Sequence, residues 1–85
     1  MTLAFVFVNC AFDQTSSVEK ALKEIDGVLE AHTTTGIYDL ILKVQAEDEV
    51  KFQELIKKIK SINGVTSTLT SITYNGSSNA KVVAE

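Results

Sequence analysis

The 85 residues predict an α+β fold of order β-α-β-β-α-β, a four-stranded antiparallel sheet with two helices on one face. Three observations predict it. A four-residue pattern occurs twice, each copy standing between a helical periodicity and a β-rich run. The first apolar run is apolar on both strand faces. A glycine-containing stretch joins the two halves in the manner of a hairpin.

The repeated pattern is Ile25-Asp26-Gly27-Val28 and Ile62-Asn63-Gly64-Val65, 37 residues apart (62 − 25). Residues 3–10 form the first strand. Leu3, Phe5 and Phe7 lie on one face, with Ala4, Val6, Val8 and Cys10 on the other, so both faces call for cover. The first helix follows from Val18, Ala21, Leu22 and Ile25 at i, i+3, i+4, i+7 spacing. Ser16-x-x-Glu19 reads as its capping box, and Gly27 stands where a left-handed residue ends it. Residues 28–35 and 38–46 are the next two strands, joined by a short hairpin connection at Gly36-Ile37. Asp48 is placed to N-cap a second helix with Phe52, Leu55, Ile56 and Ile59 on its buried stripe. Gly64 then mirrors Gly27, and the threonine-rich, β-branched residues 65–74 form the last strand. Right-handed crossovers in both β-α-β units give the ferredoxin-like arrangement.

The expected division is therefore one domain over 1–74 and a tail over 75–85. Residues 75–79 read as a polar Gly/Ser linker. Residues 80–84 suit either a swapped edge strand or a flexible end, and flexibility is favoured. The helices cover only one sheet face, and a chain this short buries only about 60–65% of its unfolded surface. Pairing of two copies through their open sheet faces, a dimer, is expected to supply the missing burial.

Composition narrows function. Eight basic against eleven acidic residues, net charge −3, leave no excess positive charge for phosphate backbones, so no direct nucleic-acid binding is expected. A single cysteine excludes an internal disulfide framework and thiolate-rich zinc sites. The apolar start has no basic leader or cleavage site, and no run reaches membrane-spanning length. A cytoplasmic protein without membrane contact is the expectation. No phosphate-binding loop, dinucleotide fingerprint, nucleophile elbow or zinc-protease motif is present, and no cofactor is expected.

Few residues carry chemistry. His32 and Glu30 share a strand face and supply at most two metal ligands or one general base, and no third ligand has suitable spacing. Cys10 has no basic neighbour in sequence to activate it and reads as a small buried hydrophobe. The acidic residues Glu47, Asp48 and Glu49 complement a helix dipole. More informative is the loop ending Gly36-Ile37-Tyr38-Asp39. Glycine there lets backbone N–H groups approach a ligand, and Asp39 is costly on a strand otherwise reading Leu40-Ile41-Leu42 unless hydrogen-bonded. Thr66, Thr68 and Thr70 form a hydroxyl ladder on one face of the last strand. Loop amides, a carboxylate and hydroxyls meeting at a subunit boundary suit a small zwitterion.

The run Gly36-x-Tyr38-Asp39-Leu40-Ile41-Leu42-Lys43-Val44, followed by an amphipathic helix and Ile62-x-Gly64-Val65-x-x-Thr68-x-Thr70, resembles the effector-binding (RAM) domain of Lrp/AsnC transcriptional regulators. The resemblance covers residues 3–74. It implies the same fold, dimers through the sheets, assembly to octamers, and amino-acid effectors in crevices between dimers. It places the ligand loop on Thr35, Gly36, Ile37, Tyr38 and Asp39, and the paired threonines on Thr68 and Thr70. Selectivity from the second helix of a neighbouring subunit would fall near Gln53 and Glu54. Full-length members carry a helix-turn-helix domain that this sequence has no room for, so a stand-alone form is expected. Its partners would be its own copies, a full-length Lrp/AsnC regulator, or an enzyme. The implied role is a non-catalytic effector-binding and oligomerisation domain in transcriptional or metabolic regulation. The alternative is a small dimeric α+β-barrel enzyme using His32 or Tyr38, which requires an enclosed pocket with His32 facing inward.

Overall fold

The computed structural model describes residues 1–73 and 82–84. The elements are β1 (Thr2–Cys10), α1 (Thr15–Lys23), β2 (Val28–Thr33), β3 (Leu40–Ala46), α2 (Glu49–Ser61), β4 (Val65–Thr73) and β5 (Val82–Ala84). The sheet is antiparallel throughout in the order β2-β3-β1-β4-β5. The expected β-α-β-β-α-β core is present, with β1 at its centre. β5 extends it, pairing Ser71 with Ala84 and Thr73 with Val82. A strand at 82–84 thus stands where the sequence favours a flexible end, while the linker reading of 75–79 lies outside the described residues.

Alternation along β1 separates the two faces. Ala4, Val6 and Val8 are fully buried against Val18 and Leu22 of α1 and Phe52, Leu55 and Ile59 of α2, together with Leu40, Leu42 and Val44 of β3. Each such Leu or Ile stabilises the fold by about 1.5–3 kcal/mol. Leu3, Phe5 and Phe7 are only half-buried. Register puts Gln45, Lys43 and Ile41 beside them on one side and Thr73, Ser71 and Leu69 on the other. That face carries no helix, so the second apolar surface of β1 is open in a single chain.

The two glycines of the repeat perform the same task. Gly27 and Gly64 adopt φ of +103° and +104°, a region closed to most side chains. Each lets the chain turn from helix to strand against the core. A Cβ on Gly64 would stand 2.7 Å from Val18 Cγ2, and one on Gly27 3.0 Å from the Gln45 carbonyl oxygen. Asp48 caps α2 as expected, its carboxylate accepting the Lys51 N–H at 2.8 Å.

The capping box at Ser16 is not formed. Helix α1 begins two residues earlier, with Gln14 at the N-cap and no side-chain cap bond. The preceding turn fixes that start: Gln14 N–H donates to the Ala11 carbonyl at 3.0 Å, and Asp13 takes a φ of 64°. Ser16 therefore falls inside the first turn, and Glu19 pairs instead with Lys23, four residues on, at 3.5 Å. Helix α1 also ends before Ile25, which packs half-buried beyond it.

Candidate ligand-binding site

The β2–β3 connection is longer than a tight hairpin because Thr34 draws the chain out of the ladder. Its hydroxyl donates to the Tyr38 carbonyl and accepts the Gly36 N–H at 3.3 Å, the local side-chain bonding by which threonine competes with sheet pairing. Thr34 N–H to the Asp39 carbonyl, at 3.0 Å, closes the loop. Thr35, Gly36 and Ile37 lie on the outside of this loop, with Ile37 exposed by 85%.

Asp39 anchors this loop to the sheet. Its N–H donates to the Val8 carbonyl at 2.9 Å, and its Oδ2 accepts the Cys10 N–H at 2.8 Å. Two backbone groups at the end of β1 are thereby satisfied, which resolves the cost of an aspartate beside an apolar strand. Oδ1 has no protein donor among the described residues and remains an acceptor. The N–H groups of Thr35, Ile37 and Tyr38 likewise have no protein acceptor among them. One loop thus carries both an open carboxylate oxygen and unoccupied amides, the acceptor and donor types that a zwitterion needs.

Tyr38 turns the other way. Its ring packs against Phe7 with centroids 5.5 Å apart and planes tilted by 45°, so it belongs to the open sheet face. Across β1 from Asp39, Thr68 stands opposite Val8, about 10 Å from the β3 side at normal strand spacing. Thr68 is half-buried and lines a shallow groove with Lys60, Val65, Thr66 and Ser67. Thr70 is paired with Val6 on the helix-covered face and is only 4% exposed, so it lies in the protein interior. The loop and Thr68 thus share the carboxyl end of β1.

Gln53 and Glu54 do not join them within one chain. They are exposed on the first half of α2, at the opposite end of the sheet. Glu54 lines a second cleft of about 410 Å³ there.

His32 lies on the open sheet face. It is 65% exposed and bonded to Glu30 at 2.9 Å, with Lys43 3.8 Å from the same carboxylate. The His32 hydrogen bond and then the Lys43 charge hold the Glu30 carboxyl below its ordinary 4.5. Neither cleft touches His32, and the enclosed pocket required by the enzyme alternative is not found among the described residues. No three His, Cys, Asp or Glu converge as metal ligands among those residues. Cys10 is half-buried. Burial, then the Asp39 charge, push its thiol above 9.0 against a Thr15 hydrogen bond, the reverse of what a nucleophile needs.

The fold is that of a small ferredoxin-like α+β domain. The family model for the Lrp/AsnC ligand-binding domain matches residues 3–81, and the chain belongs to that family. It is accordingly a domain of the Lrp/AsnC ligand-binding kind. Among solved structures, TTHA0845 from Thermus thermophilus superposes with a TM-score of 0.84 at 26% identity, covering 93% of this chain and all of that one. AsnC of E. coli gives 0.80 at 27% identity over 96% of this chain and 56% of its own. Among curated proteins, homocitrate synthase of Sulfolobus acidocaldarius is 37% identical over 71 residues, 82% of this chain. The chain spans only 15% of that enzyme's length. No helix among the described residues is long and apolar enough to cross a membrane.

Proposed function

We propose that the domain senses a small amino acid at the boundary between subunits and couples its binding to assembly. The observation that carries this reading is the exposed loop at Thr35–Asp39, which combines backbone amides without protein acceptors among the described residues with a carboxylate tied to β1 through Cys10 N–H. Gly36 supports it. Unlike Gly27 and Gly64, it has no left-handed φ, and a Cβ there would meet only Thr34 Oγ1, at 4.0 Å. The chain's own packing does not require glycine at 36, whereas close approach of a ligand to the backbone does. In this reading Asp39 Oδ1 takes the ammonium group and the amides of Thr35, Ile37 and Tyr38 take the carboxylate. Thr68 adds a hydroxyl, and Thr70 supports it from within. Gln53 and Glu54 reach the effector from a neighbouring subunit, where they select its side chain.

Dimers form through the open sheet faces, burying Leu3, Phe5 and Phe7, and associate further, up to octamers. The likeness to part of a homocitrate synthase and to part of AsnC supports two kinds of partner, an enzyme and a full-length regulator. Thermal-shift screening against the twenty amino acids, with the particle mass followed by light scattering, tests the proposal. One or more amino acids are expected to raise the melting temperature and alter the assembly, and Gly36→Trp to abolish both effects. Twenty null results with an unchanged mass would refute it.

A further inference from the structure

The two edges of the sheet are built differently. At one edge, β2 carries an extra residue, Leu29, opposite β3, and the bonded pair Glu30 and His32. A bulge and charged side chains of this kind keep an edge from pairing with another chain. At the other edge, β5 covers β4 only from Ser71 to Thr73. From Val65 to Thr70 no strand lies on the outer side of β4 among the described residues. The nine residues of β4 include no charge and no proline. Its one extra residue, Thr66, stands near its start, and pairing with β1 is regular from Ser67 to Thr73. A groove of about 330 Å³ follows this edge, lined by Val65, Thr66, Ser67 and Thr68 and by Lys60 from the last turn of α2. Successive strand residues point to opposite faces, so a space lined by four consecutive ones runs along the edge itself. Lys60 is exposed and makes no ion pair among the described residues, whereas Lys23 and Lys43 do.

An open main-chain ladder beside one unpaired ammonium group fits an extended chain that brings a carboxylate. We propose that the outer edge of β4, from Val65 to Thr70, accepts an extended segment of another protein as an added strand, with a carboxylate side chain of that segment against Lys60. Strand addition takes its affinity from main-chain hydrogen bonds and its selectivity from alternate side chains. A second copy of this chain fits the edge less well. Its β4 has no carboxylate to offer, and two β4 edges side by side would bring both Lys60 ammonium groups to one seam. Its β2 is protected by a bulge and charges. The added strand uses main-chain groups of β4 and the Lys60 side chain, none of which the Thr35–Asp39 loop site requires, so the two proposals stand apart.

Amide NMR titration of the whole protein with the peptide acetyl-Thr-Val-Glu-Val-Thr-Val-amide tests it. A peptide with Gln in place of Glu, and two forms N-methylated at odd or at even residues, serve as comparisons. Saturable shifts are expected at Ser67, Thr68 and Leu69, with slowed amide exchange there. Binding should weaken about threefold with the Gln peptide or in Lys60→Gln, the scale of a partly exposed ion pair. One N-methylated form should lose binding and the other keep it, because only alternate N–H groups of an added strand face the edge. Gly36→Trp should leave the titration unchanged. Absence of saturable shifts in β4 overturns the proposal. So do equal binding of the Glu and Gln peptides, or equal behaviour of the two N-methylated forms. Shifts at the same residues on raising the protein concentration without peptide also overturn it, by assigning the edge to a second copy. Loss of the titration in Gly36→Trp does so too, by assigning the binding to the loop.

Discussion

Asp39→Ala removes the side-chain tie between the Thr34–Asp39 loop and β1 while sparing the loop's backbone. The lost bond is charge-assisted and 2.8 Å long, a class that contributes about 1.5–3 kcal/mol. Cys10 is half-buried, so water partly replaces the acceptor and the lower end, about 1.5 kcal/mol, is expected. The backbone bonds from Asp39 N–H to Val8 and from Thr34 N–H to the Asp39 carbonyl survive, so the fold persists. At about 2.1 cal/mol/K of unfolding entropy per residue, this corresponds to a fall in Tm of roughly 8 °C. Asp39→Asn, which keeps an oxygen acceptor but no charge, should fall about half as far. Both variants remove the negative charge that helps hold the Cys10 thiol above 9.0, so alkylation of Cys10 at about pH 8 should quicken, although burial still restrains it. Calorimetry and iodoacetamide kinetics on the three proteins are the assays. A Tm change under about 2 °C for Asp39→Ala, with unaltered thiol kinetics, would refute the anchoring role.

Gly64→Ala should cost at least about 2 kcal/mol in chemical denaturation, because it combines a left-handed φ with a 2.7 Å contact to Val18. Gly36→Ala, by contrast, meets only an ordinary 4.0 Å contact to Thr34 Oγ1 and should stay within about 0.5 kcal/mol of wild type. Phe5→Asp on the open sheet face should shift the assembly toward monomer in analytical ultracentrifugation without loss of helicity, and unchanged mass would count against pairing through the sheets. His32→Ala should raise the Glu30 pKa toward 4.5, as followed by carboxyl NMR. Because that pKa is lowered in the folded state, the interaction stabilises above pH 4.5 and fades as pH falls through the lowered value.

Periodicity makes most of the fold legible. The i, i+3, i+4, i+7 stripes locate Val18 and Leu22 on α1 and Phe52, Leu55, Ile56 and Ile59 on α2. The repeated Gly27 and Gly64 mark both helix-to-strand turns, because backbone conformation dictates glycine there. The start of α1 is not legible. It is set by the Ala11–Gln14 turn and the bond from Ala11 N–H to the Gly64 carbonyl, which joins residues far apart in the chain. The strand at 82–84 escapes for a similar reason: three short apolar residues acquire meaning only beside the exposed edge of β4. Of the candidate site, Gly36 and Asp39 stand out because they break a β pattern. That Asp39 caps the end of β1, and that Thr70 is interior while Thr68 is not, depends on strand register. The open outer edge of β4 gives no sequence signal, since strand order decides which edges lack a neighbour.

Isothermal titration of the assembled protein with each of the twenty amino acids, in parallel with Gly36→Trp, addresses effector sensing at the loop most directly. At least one amino acid should show a saturable heat that disappears in Gly36→Trp while the variant's melting temperature is preserved. Binding of equal strength and stoichiometry in both proteins would contradict effector recognition at Thr35–Asp39.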